Sequence, residues 1–520
     1  MKLPAINPTQ TKAWSKLQSH FEEIREAHMR DLFANDTERA PRFSVKWNDF
    51  YVDYSKNRIT DTTKQLLLDL AEQTGLKEAI SLQFAGSEIN ETEGRAVLHT
   101  ALRDLTGERT EVTETLRRMQ RFSENIINGK HRGYSGKRIT TVVNVGIGGS
   151  DLGPKMVVQA LQHYRNHLNL HFISNVDGDY LDATLKGINP EETIFIIVSK
   201  SFGTQETLTN ATAIKEWFGN ATGQADFTKH FVAVSANREA VLNFGIGEEN
   251  IFPVWEWVGG RFSLWSAVGL SICLAVGYSH FEKLLQGAHK MDLHFKETEF
   301  SRNMPILLGL LSVWYTNFFE FKTQAVIPYS QALADFVPYL QQVAMESNGK
   351  SVDRSGKKIN YATSPIIWGN VGTNAQHAFF QLLHQGTHTV PTDFILFKSA
   401  LNQKHRQHAI LTANCLAQSE ALLLGTMEER SQSKNGYFAG NKPSNILLIE
   451  KLTPENLGSL LALYEHKYFV EGVIWNIFSY DQWGVELGKK IASNILQRFN
   501  SETPEPVHSS TQVLLNMLKN

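Results

Sequence analysis

The chain has 520 residues, 42% of them hydrophobic and 20% charged, a globular composition too long for one ordinary core, so two or three domains are expected. Lys and Arg total 51 against 53 Asp and Glu, a net charge of −2, which speaks against nucleic acid as the main partner because a polyanion-binding surface carries a basic excess. Cys273 and Cys415 are the only cysteines; they form no disulfide framework and point to a reducing compartment.

The opening stretch MKLPAINPTQTKAW has no apolar core of signal-peptide length, and a cytoplasmic protein is expected. Residues 1–110 read as a helical segment, with apolar positions at helical spacing in SKLQSHFEEIREAHMRDLF. From about 138 the grammar changes to strand–loop–helix: TTVVNVG, LHFISNV, TIFIIVSK and HFVAVSA are short β-branched runs, each followed by turn residues and a helical stretch. Such alternation predicts a parallel sheet covered on both faces. Residues 262–279 are uncharged, long enough to be screened as a membrane span, but rich in Gly, Ala and Ser and lacking aromatic–basic flanks, so they predict a buried helix. A helical region to about 320 precedes a second strand set that begins with TQAVIPYS, SPIIWGNVG and DFILFK. The end, SETPEPVHSSTQVLLNMLKN, reads as a Pro-containing linker and a short amphipathic tail.

The loop VVNVGIGGSDLGPK follows the first strand. Gly146 and Gly148 fit a dinucleotide fingerprint, but its third glycine position holds Asp151, whose carboxylate would face a pyrophosphate. Gly148 and Gly153 have the spacing of an ATP loop, but Pro154 stands in place of the lysine. A smaller anion, or a polyol with one phosphate, remains, beside the alternative of a tight turn with no ligand. The second loop, FIIVSKSFGTQET, places Ser199, Ser201 and Thr204 between a strand and a helix, where hydroxyls, N–H groups and the helix dipole suit one phosphate dianion.

Four further stretches carry residues suited to acid–base chemistry. In WEWVGGRFSLWS, Arg261 follows two glycines that permit close approach of a ligand. In YSQALADFVPYLQQVAMESNGKS, Gln342 and Glu346 share a helix face, and Glu346 falls in the last turn, beside the negative end of the dipole, a placement suited to a general base. In SPIIWGNVGTNAQHAFFQLLHQG, His377 is expected in the first turns of a helix, where the dipole favours the neutral, proton-accepting ring. In SYDQWGVELGKK, Gln482 and Lys489 are expected two turns apart on one helix face. Taken singly, each of these residues also fits an ordinary structural role, Lys489 as a partner of Glu486 for instance.

Together, GIGGSDLGP, SKSFGTQET, WVGGRFSLWSAVG, MESNGK, GTNAQHAFFQLLHQGT and GSLLALYEHKYFVEGVIWNIFSYDQWGVELGKK resemble, in order and from about 140 to 490, the motifs of the glucose-6-phosphate isomerase family. The resemblance implies an α/β fold of two three-layer sugar-isomerase domains with parallel-type sheets. Their expected bounds are a helical segment at 1–110 packing on the larger domain, a smaller domain at 111–285, a larger one at 286–490 and a helical tail at 491–520. It also implies a homodimer with a site shared between subunits, no metal or organic cofactor, and no nucleic-acid or membrane partner. The implied substrates are glucose 6-phosphate and fructose 6-phosphate, interconverted through an enediol(ate) in glycolysis and gluconeogenesis.

By motif, the resemblance assigns the phosphate to Ser199, Lys200, Ser201 and Thr204, with Gly149 and Ser150 nearby. Glu346 is implied as the base between C1 and C2, His377 and Lys489 as the ring-opening pair, and Arg261 as the cation beside the enediolate. Gly260, Gln342 and Gln482 line the site. The family often has threonine where this chain has Ser201 and Gly203, which bears only on a peripheral contact. A non-catalytic sugar-phosphate sensor would need neither Glu346 nor His377; tolerance of mannose 6-phosphate, as in a bifunctional isomerase, stays open.

Overall fold

Between two N-terminal helices the chain turns back on itself as a β-hairpin, β1 (Ser44–Trp47) and β2 (Phe50–Asp53). The first long helix, Lys12–Ile24, is N-capped by the Thr11 side chain and buries Ala13, Trp14 and Leu17; two short helices, Met29–Ala34 and Arg39–Arg42, lead from it to the hairpin, and the helix after the hairpin, Asp61–Gln73, starts from a capping box on Thr60. The helical segment expected over residues 1–110 is present and carries this hairpin in addition. Asn48 supplies the left-handed turn residue, with φ 45°, and Phe50 and Val52 alternate into the core, a period of two that four-residue strands scarcely display.

The computed structural model describes residues 2–402, 405–426, 434–499 and 506–519. The chain divides into two units, Met1–Ser479 and Tyr480–Asn520. The first unit holds two sheets. One is wholly parallel, with strand order β4-β3-β5-β6-β7: β3 (Thr141–Val145), β4 (Asn169–Ile173), β5 (Thr193–Val198), β6 (Phe231–Ser235) and β7 (Ile251–Pro253). β3, β5 and β6 are buried at every position, as expected of central strands covered on both faces.

The other sheet runs β1-β2-β11-β10-β8-β9, with β8 (Thr323–Pro328), β9 (Ile366–Trp368), β10 (Thr392–Ser399) and β11 (Ser444–Lys451). Neighbours among these four pair in parallel, while the N-terminal hairpin adds through β2 antiparallel to β11. The fold is thus α/β with parallel-type sheets, mostly helical at the start and helical at the end of the chain.

The helices that position the site are α1 (Leu152–Ala160), α2 (Gln205–Thr222), α3 (Tyr278–Glu297), α4 (Met304–Asn317), α5 (Phe336–Gln341) and α6 (Pro454–Ile474). Every position of α6 but Glu455 is buried, and it packs on α3 and α4 as a central post. Two glycines permit this closeness: a Cβ on Gly458 would stand 1.9 Å from the Leu284 carbonyl oxygen, and one on Gly309 would stand 2.9 Å from a Val470 methyl.

Of the stretch 262–279, residues 262–276 are buried, but not as one helix: two 3₁₀ turns, Gly260–Trp265 and Ala267–Gly269, lead into the seven-residue helix Leu270–Val276, which Gly277 ends at φ 83°. Among the described residues no helix is long and apolar enough to cross a membrane.

The second unit comprises a 3₁₀ turn, Trp483–Val485, and the helices α7 (Glu486–Phe499) and α8 (Ser509–Lys519). Arg498 donates to Gln512 at 2.9 Å, which ties the two helices together. Of the expected Pro-containing linker, residues 501–505 lie outside the described residues.

Candidate active site

The glycine loop after β3 lies at the C-terminal edge of the first sheet and turns through Gly148–Ser150 into α1. Its glycines are required by what they touch. A Cβ on Gly149 would stand 2.1 Å from the Gly260 carbonyl oxygen and 2.8 Å from the Arg261 nitrogen, so only glycine lets these two loops lie on each other. Gly148, at φ 60°, has the Gln342 amide nitrogen 3.2 Å from where a Cβ would be. The loop thus meets the Gly260–Arg261 turn on one side and Gln342 on the other. Asn144, inside β3, donates to the Ser150 carbonyl at 3.2 Å and holds the turn closed.

The neighbouring loop follows β5. Phe202 takes a left-handed φ of 47° and buries its ring, which leaves Ser201 and Gly203 exposed on the other side of the chain. An aromatic residue in that region costs about 1–2 kcal/mol. Thr204 is the N-cap residue of α2, yet its hydroxyl caps no amide of the helix; it takes a hydrogen bond from the buried Ser199 hydroxyl at 3.3 Å. First-turn amides without a side-chain cap, beside three hydroxyls, give this helix terminus the donor chemistry that suits an anion. A Cβ on Gly203 would meet only Ser201, at 3.6 Å, so the loop has room for the larger residue common there. Lys200 points elsewhere: its ammonium donates to the carbonyls of Glu256 and Val258, both at 3.1 Å, and pairs with the Glu256 carboxylate at 3.3 Å. Lys200 therefore fastens the strand-end loop that leads into Gly260 and Arg261.

Arg261 is almost wholly buried. Its Nε donates to the Ser347 hydroxyl at 2.8 Å, its Nη2 to the Ser479 carbonyl at 2.7 Å, and its Nη1 stands 3.5 Å from Oε2 of Glu346. Hydrogen bonds from a charged group contribute about 1.5–3 kcal/mol each, so the guanidinium is rigidly placed. Glu346 sits where α5 widens into a π-turn, Gln342–Glu346, before the helix stops at Asn348. Such widened turns recur at functional sites. Gly349 donates to the Met345 carbonyl, and the Lys350 ammonium donates to the carbonyls of Glu346 at 3.4 Å, Ser347 at 3.1 Å and Phe478 at 2.9 Å. Oε2 of Glu346 is buried and takes no hydrogen bond among the described residues, while the side chain as a whole is 21% exposed. A carboxylate held beside a fixed cation, with its Oε2 free of hydrogen bonds and an opening to solvent, can accept a proton from a bound carbon acid.

Five sequence-predicted groups are therefore brought together: Gly149 with Ser150, Gly260 with Arg261, Gln342, Glu346, and the Ser199–Thr204 loop, which Lys200 links to the same turn. Two local expectations need correction. His377 is not in the first turns of a helix; it ends a 3₁₀ turn, Asn374–His377, three residues before the helix Phe380–Gln385, and is exposed. Gln482 and Lys489 do not share a helix face, because Gln482, at φ −152°, precedes the 3₁₀ turn and α7 begins only at Glu486. Trp483-Gly484-Val485 is a run of poor helix formers. Lys489 is exposed and pairs with Glu486 at 2.8 Å. Ser347 and Ser479, which hold Arg261, were not singled out from sequence.

Residues 53–515 match the sequence profile of the phosphoglucose isomerase family. The chain belongs to that family. It is 56% identical to the glucose-6-phosphate isomerase of Christiangramia forsetii, over 98% of each chain, and 50% identical to that of Buchnera aphidicola, over 99% of each. A solved glucose-6-phosphate isomerase from Chlamydia trachomatis superimposes with a TM-score of 0.89 at 35% identity, covering 99% of this chain and 100% of its own.

In this phosphoglucose isomerase family chain, Asp151 closes the glycine loop with a buried carboxyl. Burial raises it to about 6, Asp335 adds to the rise, and Lys155 and a hydrogen bond from Ser174 oppose it. Because the folded carboxyl keeps its proton to about pH 6 and an unfolded one loses it near 3.9, the folded state binds more protons between those values. Stability should therefore fall as pH rises from about 4 to about 6, by on the order of 2–3 kcal/mol from this group. Asp151→Asn should flatten that part of the melting-temperature profile; parallel profiles for variant and parent would remove Asp151 as the cause.

Proposed function

We propose that the chain interconverts glucose 6-phosphate and fructose 6-phosphate. The observation that carries this is the Arg261–Glu346 pair, 3.5 Å apart, on the glycine loop and beside the hydroxyl loop. The phosphate lies on Ser199, Ser201 and Thr204 at the start of α2, with Lys200 fixing the adjoining loop and Gly149 and Ser150 close by. An aldose must open before it can isomerise, and His377 and Lys489 supply the acid and base for that step. Glu346 takes the C2 proton and returns it to C1. Arg261 offers positive charge to the enediolate oxygens, where charge develops in the transition state. Gly260, Gln342 and Gln482 line the pocket. The proton leaves and re-enters the same molecule, so the sum is an isomerisation with no redox partner.

The homodimer, with His377 serving the neighbouring subunit's pocket, and the cytoplasmic setting, in glycolysis and gluconeogenesis, are part of the same proposal. The exposure of His377 on the isolated chain supports the first point.

A coupled assay of fructose 6-phosphate formation tests the activity, and absence of turnover would refute it. The phosphate assignment has its own test. Ser201→Ala combined with Thr204→Ala should weaken fructose 6-phosphate binding by about 2–3 kcal/mol, since hydrogen bonds to a charged group contribute ~1.5–3 kcal/mol and do not add fully. Calorimetry that finds unchanged affinity would move the phosphate elsewhere.

A further inference from the structure

One of the groups that hold Arg261 is a backbone carbonyl in an irregular stretch. Ser479 lies past the end of α6, and no ladder or helix bond fixes its direction. The side chain that fixes it is Asn348. Its Oδ1 accepts a hydrogen bond from the Ser479 hydroxyl at 2.8 Å. Its Nδ2 donates to the Tyr468 carbonyl at 2.8 Å and reaches the Glu471 carboxylate at 3.4 Å. Glu471 in turn takes the Lys467 ammonium at 2.6 Å. Asn348, Lys467, Tyr468, Glu471 and Ser479 are all buried, so each bond is made away from competing water.

A second feature is independent of these bonds. Gly472, within α6, faces the same spot: a Cβ there would stand 1.8 Å from the Ser479 hydroxyl and 3.0 Å from Oδ1 of Asn348. A glycine inside a helix costs roughly 0.5–1 kcal/mol against alanine. Here it leaves the space in which Ser479 and Asn348 meet. Asn348 also follows Ser347 and Glu346 directly, so one amide anchors both arms around Arg261: the turn that carries Glu346 and the Ser347 hydroxyl, and the segment that carries the Ser479 carbonyl.

We infer that Asn348 is a positioning residue for the isomerisation: by fastening Ser479 and the Glu346–Ser347 turn to α6, it sets where the Arg261 guanidinium stands relative to the Glu346 carboxylate. The inference rests on the reading of Arg261 and Glu346 as the reacting pair. Asn348 acts through Ser479 and Ser347.

The test is a kinetic cycle on the full-length protein, with fructose 6-phosphate as substrate and circular dichroism as the check on folding. Asn348→Ala should lower kcat by ~10- to 100-fold, the scale of a misplacement of about 1 Å at a reacting centre. KM should stay within about threefold, because the phosphate loop is untouched. In an Arg261→Ala background the same substitution should change kcat by less than about twofold, since the group it positions is gone. A purely structural residue would lower kcat by the same factor on both backgrounds, and that result would overturn the inference while leaving the reacting pair in place. Full kcat in Arg261→Ala itself would overturn the reading of the pair, and the inference with it. Should Asn348→Ala fail to fold, Ser479→Ala removes the hydroxyl, keeps the carbonyl, and carries the same two-background comparison with a smaller loss.

Discussion

Glu346→Gln should stop the exchange of the C2 proton of glucose 6-phosphate with heavy water and lower kcat by on the order of 10²–10⁴-fold, the range a positioned general base contributes. The amide has the shape of the carboxylate but cannot take the proton. Because Arg261 keeps its bonds to the Ser347 hydroxyl and the Ser479 carbonyl, the pocket should hold its form when the 3.5 Å pairing with Glu346 is weakened. Fructose 6-phosphate affinity by calorimetry should therefore change little. Ring opening should survive, since His377 and Lys489 are separate groups. Exchange at the parent's rate in the variant would take Glu346 out of the proton-transfer role.

The strands of the first sheet were legible because buried parallel strands are continuous β-branched runs: TTVVNVG and TIFIIVSK carry β3 and β5 almost residue for residue. The hairpin was not, because Ser44–Trp47 and Phe50–Asp53 are too short to show a period between amphipathic helices. Nor was β11, an edgeless central strand whose SNILLIEK reads equally as a helix start. At the site, Gly149, Arg261 and Glu346 were found as motif residues, yet nothing local said that they meet. The contact is made by backbone, glycine loop on glycine turn, and by a carbonyl at Ser479, and such partners leave no signature in side-chain spacing. Lys200 shows the converse. It sits in the phosphate motif, but its ammonium turns to the carbonyls of Glu256 and Val258, a choice set by the course of a loop 56 to 58 residues away. His377 and Lys489 were placed on ideal helices, and both helices start later than their patterns suggested.

The exposure of His377 leads to the second large effect, a recovery of activity from two inactive chains. Glu346→Gln and His377→Ala should each be nearly inactive as homodimers. Unfolded and reassembled together in equal amounts, about half of the dimers should be mixed. If the histidine serves the partner subunit, each mixed dimer has one pocket with both lesions and one with neither. Roughly a quarter of all pockets are then intact, because a two-fold dimer pairs the same surfaces in both directions. If the histidine serves its own chain, every pocket carries one lesion and nothing returns. The outcome turns on topology alone, since both cases contain the same side chains in the same numbers. The measurement is fructose 6-phosphate turnover by the reassembled mixture against each variant treated alone, with mass spectrometry to count mixed dimers. Mixed dimers present at the expected fraction, but with no turnover above either variant, would place His377 in its own chain's pocket and end the shared-site reading.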